Sequence, residues 1–189
     1  MMRGLALSIP VVTLSLMAVA AQAQVATTPQ VQMAFNGQVD AGCVTASPSA
    51  SAAQNATAKG LVTGSANVMI TRLVGEDGVP LGAQIVLTMP STCNQAHTLN
   101  LNSLNGGLSN SSGAGAEGGP FRALLPYTVV VDWAGQSRTF DSSVGSLTQP
   151  VSDAATGPVT VTIQIPSGGA PMVAGSYSDQ LVLELGVAG

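Results

Sequence analysis

Charge is scarce in this chain, and histidine nearly absent. Its 189 residues carry 5 Lys and Arg, 9 Asp and Glu and 1 His, so that charged residues make up 7% of the whole. Lys59 is the sole lysine, and no basic patch is available to follow a phosphate backbone; nucleic acid is excluded as a partner. A serine nucleophile needs a base held by a third group, yet His97 stands alone and no Gly-x-Ser-x-Gly elbow surrounds any serine. With only two cysteines, Cys43 and Cys93, placed 50 apart, a zinc site lacks ligands at readable spacing. The glycines around 113–119 lack the Lys-Ser/Thr ending of a phosphate loop. Nor does any run of ten or more residues repeat at helical spacing.

One long apolar run is present, and it stands at the start. Arg3 precedes an uncharged stretch from Leu5 to Ala20, closed by Ala21-Gln22-Ala23. The run is short for a spanning helix, which needs about 20 residues, and its small-residue exit reads as a secretory cleavage site. Residues 1–23 are therefore expected to be a signal peptide, with cleavage between Ala23 and Gln24. No later run is long enough to predict membrane insertion. Without Arg3 the net charge becomes −5, from four Lys and Arg against nine Asp and Glu. Such a surface must be dressed in Ser, Thr, Asn, Gln and Gly, which suits an extracellular protein that packs against copies of itself. In an oxidising compartment, Cys43 and Cys93 are expected to form a disulfide.

What fills the rest is alternation. Val31, Met33, Phe35, Gly37 and Val39 alternate with Gln32, Ala34, Asn36 and Gln38. The same period of two runs through Tyr127–Trp133, Val159–Ile165 and Leu181–Val187. Each places an apolar row on one face of a strand. Val68–Leu73, Ile85–Met89 and Thr98–Leu104 read as further strands, and the fold class is all-β, a β-sandwich. Ala46–Thr57, rich in Ala and Ser, and Asn105–Gly119, rich in Gly, Ser and Asn, read as surface loops. Asp77-Gly78, Asn105-Gly106 and Ala134-Gly135 read as hairpin reversals.

Order and spacing along the mature chain carry a resemblance. Gln38-Val39-Asp40 leads to Gly42-Cys43; Cys93 is followed by Leu99-Asn100-Leu101; then come Phe121-Arg122, Leu125-Pro126-Tyr127, Trp133 and Val161 to Pro166. The chain closes on Ala174-Gly175-Ser176-Tyr177-Ser178-Asp179 and the alternating Leu181–Val187. This sequence resembles the spore coat protein U domains, which include the subunits of archaic, Csu-type chaperone–usher pili. It departs from them where a Phe-Gly segment is usual after the first cysteine, since Thr45–Thr57 offers Ala, Ser and Asn.

The resemblance implies an immunoglobulin-like β-sandwich over residues 43–189, incomplete and closed by donor-strand complementation. It implies a fibre subunit without catalytic function or cofactor. Its partners would be other copies or pilin subunits, a periplasmic chaperone and an outer-membrane usher, and its destination the cell surface. Residues 24–42 would be the N-terminal extension, with Val31, Met33, Phe35, Gly37 and Val39 as the donor strand. Burying its four side chains would offer roughly 6–12 kcal/mol before ordering costs. Gly175, Tyr177 and Asp179 would be structural, a tyrosine bonded back to a loop and an aspartate at a turn. Two alternatives stay open. Val31–Val39 reads alternatively as the first strand of its own closed sandwich, in a secreted coat or matrix protein. A secreted hydrolase would need carboxylates that meet only across the fold.

Overall fold

A computed structural model of the chain describes residues 33–112 and 119–187. Residues 1–23, the predicted signal peptide, and Val31 of the predicted donor row lie outside them. The compact β unit begins at Val39, and the stretch up to Gln38 is a separate unit.

The strands are β1 (Cys43–Thr45), β2 (Ser49–Gln54), β3 (Ala56–Val62), β4 (Ser65–Ile70), β5 (Ala83–Cys93), β6 (His97–Ser103), β7 (Leu108–Asn110), β8 (Leu124–Leu125), β9 (Thr128–Trp133), β10 (Gln136–Asp141), β11 (Ser146–Val151), β12 (Ala155–Ile165), β13 (Tyr177–Ser178) and β14 (Leu181–Val187). They form an all-β arrangement of antiparallel sheets, as in a β-sandwich. The larger sheet runs β1-β5-β12-β9-β10, with β2 also on β5, and the second runs β11-β6-β14. Two small sheets complete it, β13-β7-β8 and the hairpin β3-β4.

Register explains the core. Partners in an antiparallel ladder share a face. Val129 lies opposite Ile163, Val131 opposite Val161, and Val161 in turn opposite Leu87. From the second sheet, Leu99 and Leu101 meet this row, and both are fully buried, as are Val129 and Val131. The period of two in β5, β6, β9 and β12 therefore maps onto burial almost residue for residue.

Several sequence expectations need correction. Ala46–Thr57 is not a loop, because β2 and the start of β3 occupy it. Every residue of β2 is exposed, so no apolar alternation marks it; backbone pairing to β5 makes it a strand, with a register shift between Ala50 and Ala52. The strand expected at Val68–Leu73 lies earlier, at Ser65–Ile70. Asn105-Gly106 turns the chain but makes no hairpin: β7 pairs with β8 and β13, not with β6. Ala134-Gly135 does close one, both residues having positive φ (50° and 74°) between Trp133 and its partner Gln136. Residues 33–42 carry no strand, so the reading of Met33–Val39 as the first strand of this sandwich does not hold for the described residues.

Candidate functional site

Cys43 and Cys93 are bonded across the β1–β5 ladder, where they are direct partners with Cα atoms 4.1 Å apart. Asn94, the next residue, fixes how the chain enters β1. Its Oδ1 accepts from the Gly42 N–H (2.8 Å), and its Nδ2 donates to the Asp40 carbonyl (2.7 Å). The end of the predicted 24–42 extension is thus tied beside the disulfide.

Three potential metal-ligand atoms, from Cys43, Cys93 and His97, lie within 4.8 Å of one another. Their bonding leaves them otherwise occupied. The sulfurs bond each other, the indole N–H of Trp133 donates to His97 Nε2 (2.8 Å), and His97 Nδ1 faces the Gln95 carbonyl at 2.8 Å. A ring that accepts at Nε2 and donates at Nδ1 is a neutral imidazole acting as a core tie between β6 and β9.

Gly175, Tyr177 and Asp179 come together as a clamp at the opposite end. Gly175 has φ 150°, and a Cβ there would sit 2.6 Å from the Asn110 side-chain amide, so this close approach requires glycine. The Tyr177 hydroxyl donates to the Val173 carbonyl at 2.7 Å, with the Arg122 carbonyl at 3.3 Å. Asp179 is the hub: its Oδ2 accepts from Ser103 Oγ and from the Tyr127 hydroxyl (2.7 Å), its Oδ1 from the N–H groups of Asn105 (2.9 Å) and Gln180 (2.8 Å). Burial, then the hydrogen bond and charge of Asp179, push the Tyr127 phenol well above its ordinary range. Sequence reasoning missed Ser103, Asn105, Tyr127 and Asn110 as the partners, since each lies more than 50 residues from the group it holds.

The open part of the molecule is the edge formed by β14. Leu181, Leu183 and Leu185 lie opposite Ser103, Leu101 and Leu99 and so face inward. Whereas Leu99 and Leu101 are sealed, the three β14 leucines are only half-buried. Among the described residues, β14 has β6 as its only ladder partner, and an edge strand leaves alternate N–H and C=O groups unpaired. Across the gap, Ala50 and Ala53 are register partners of the buried Leu87 and Ile85, yet both are exposed. Inward-facing residues reached by solvent mean that β2 leaves a gap on this side. β1 comes close to β14 at one end of the opening.

Of the predicted donor residues, Met33, Phe35 and Val39 are exposed by 74%, 89% and 86%, and Gly37 is exposed as well. No protein-family model and no curated protein matches this sequence.

Proposed function

We propose that this chain is a non-catalytic structural subunit of a secreted surface fibre, an immunoglobulin-like sandwich completed by a strand from the next copy. The observation that carries the reading is the inward leucine row of β14, half-buried on an edge with one ladder partner. Such an edge is costly to leave bare, both for its apolar surface and for its unpaired backbone groups. A donated strand supplies both needs at once, with ladder bonds for affinity and alternate side chains for specificity. Val31, Met33, Phe35, Gly37 and Val39 have the matching period of two. In this reading the chain passes through the periplasm with a chaperone on the open edge, is handed to an outer-membrane usher, and ends at the cell surface. Charge scarcity supports it, because uncharged polar surfaces pack together without desolvating ions.

A self-contained secreted coat or matrix protein is the second reading. It is favoured by the hairpin β3–β4, whose Ala58, Leu61, Val68 and Ile70 pack against the core as a partial cover supplied by the chain itself.

The test is concentration dependence of the full chain, with a labelled peptide of residues 30–40 as a probe. Fibre assembly predicts detergent-resistant ladders, uptake of the peptide, and loss of both when Leu183→Glu is placed on the edge. A monomer at every concentration that ignores the peptide would reject the proposal and leave the self-contained reading.

A further inference from the structure

The hairpin β3–β4 has the parts of a hinged cover. Its register places Ala56 opposite Ile70 and Ala58 opposite Val68, on one face. That face, with Leu61, packs against the core, and Ala56 is buried. The root is firmly held. Asn55, a non-glycine residue at φ 51°, donates through Nδ2 to the carbonyls of Arg72 (2.7 Å) and Gly82 (3.2 Å), and its Oδ1 accepts from the Arg72 N–H (3.0 Å). Its own carbonyl accepts from the Thr71 N–H at 2.9 Å.

The arm is light by comparison. Its inner face includes two alanines, and the ladder is interrupted between Lys59 and Val62, where Gly60 has φ 58°. At the tip, the Thr63 and Ser47 hydroxyls lie 3.0 Å apart, and the contact is exposed. Asn55 directly follows the end of β2, and Ser47 precedes its start. The hairpin therefore runs back along β2, with its apolar residues packed against the core. The hairpin's apolar residues and the inward leucines of β14 pack against one and the same core, so a strand added along β14 would compete with the hairpin for it.

We propose that β3–β4 is a cover latched by the Ser47–Thr63 hydroxyl pair and hinged at Asn55, which swings aside when a donated strand enters along β14. The inference rests on the strand-accepting reading of that edge. It makes the monomer partly self-protected before assembly, and makes displacement of the hairpin a kinetic step of strand uptake.

The test uses the full chain carrying Ser47→Cys with Thr63→Cys, either oxidised to lock the tip or alkylated without reductant, which leaves the Cys43–Cys93 bond intact. The rate at which each form takes up a labelled peptide of residues 30–40 is followed by fluorescence anisotropy. Locking is expected to slow uptake by more than about tenfold, because it removes the open population. Equal rates in the two forms overturn the cover while leaving the strand-accepting edge intact. No uptake by either form, nor by the unaltered chain, overturns that reading and the cover with it. A second variant keeps the question decidable should the cysteine pair fail to fold. Thr63→Val removes the latch and is expected to speed uptake roughly two- to tenfold, the factor one hydrogen bond is worth; an unchanged rate counts against the latch.

Discussion

Where β10 passes into β11, the chain crosses between the two large sheets through a short 3-10 turn at Ser142–Val144 and seals that side. Asp141 caps the turn by accepting from the Ser143 N–H. The buried Ser142 hydroxyl accepts from the Tyr127 N–H (2.9 Å) and donates to the Gly106 carbonyl (3.1 Å). Beneath it, Phe140 is 2% exposed. Between β2 and β14 no such short link joins the sheets among the described residues. There the inward residues are small on one wall, Ala50 and Ala53, and half-buried on the other, Leu181 to Leu185. The two sides differ less in composition than in connection. A side closes when a short covalent link holds both sheet edges at bonding distance, and it stays open when the adjacent strands are far apart in the chain.

That contrast can be broken or sharpened by measurement. The largest effect is expected from a matched pair on neighbouring strands. Leu101→Ala, in the sealed interior, should cost about 4 kcal/mol in urea unfolding, whereas its ladder partner Leu183→Ala should cost only about 1 in the free chain. Adding the residue 30–40 peptide should raise the second cost toward the first. Equal costs in the free chain would mean that the β14 side is already closed.

Next in size is the clamp. Asp179→Ala leaves the Ser103 and Tyr127 hydroxyls without their carboxylate and should destabilise the fold by about 3 kcal/mol. Tyr127→Phe removes a single donor to that carboxylate and should cost about 1 kcal/mol. A clamp variant that lost nothing would show that this end is held by packing alone.

On the sealed side, Gln149 faces inward beside Leu99, is fully buried, and its side-chain amide has no hydrogen-bond partner among the described residues. Gln149→Met keeps the volume and should stabilise the chain by about 1 kcal/mol, read as a rise in the urea midpoint. A loss of stability would assign that amide a bonded role.

The smallest effect is a pH signature. Because the folded state raises the Tyr127 phenol above its unfolded value of about 10, its contribution is complete below that pH. Stability is then lost as pH rises above it, since the unfolded chain releases the proton first. Unfolding midpoints should fall as the pH is raised from about 10 upward in the parent chain, and the fall should be shallower in Tyr127→Phe.

How far the sequence alone could be read varies strand by strand. β5, β6, β9, β12 and β14 were legible because apolar and polar side chains alternate along them. β2 was not, since six exposed small and polar residues form a strand only by bonding to β5. β10 and β11 were missed for a related reason: Gln, Ser, Thr and Arg line much of their length, and Phe140 or Leu147 alone makes no pattern. Likewise, the Gly175–Tyr177–Asp179 stretch announced a turn but not its partners, because hydrogen bonds to Ser103, Asn110 and Tyr127 span distances no local pattern encodes.

By itself, then, the chain determined local quantities: which residues extend, which faces are apolar, and that two cysteines in so small a set would pair with each other. Only the tertiary structure decided which apolar rows are sealed. Val129–Val131 and Leu183–Leu185 have the same period and similar hydrophobicity, yet one is fully buried and the other half-open. The reason is that a strand's burial depends on what stands beyond the next sheet edge. That neighbour is chosen by long-range pairing, not by the strand's own residues.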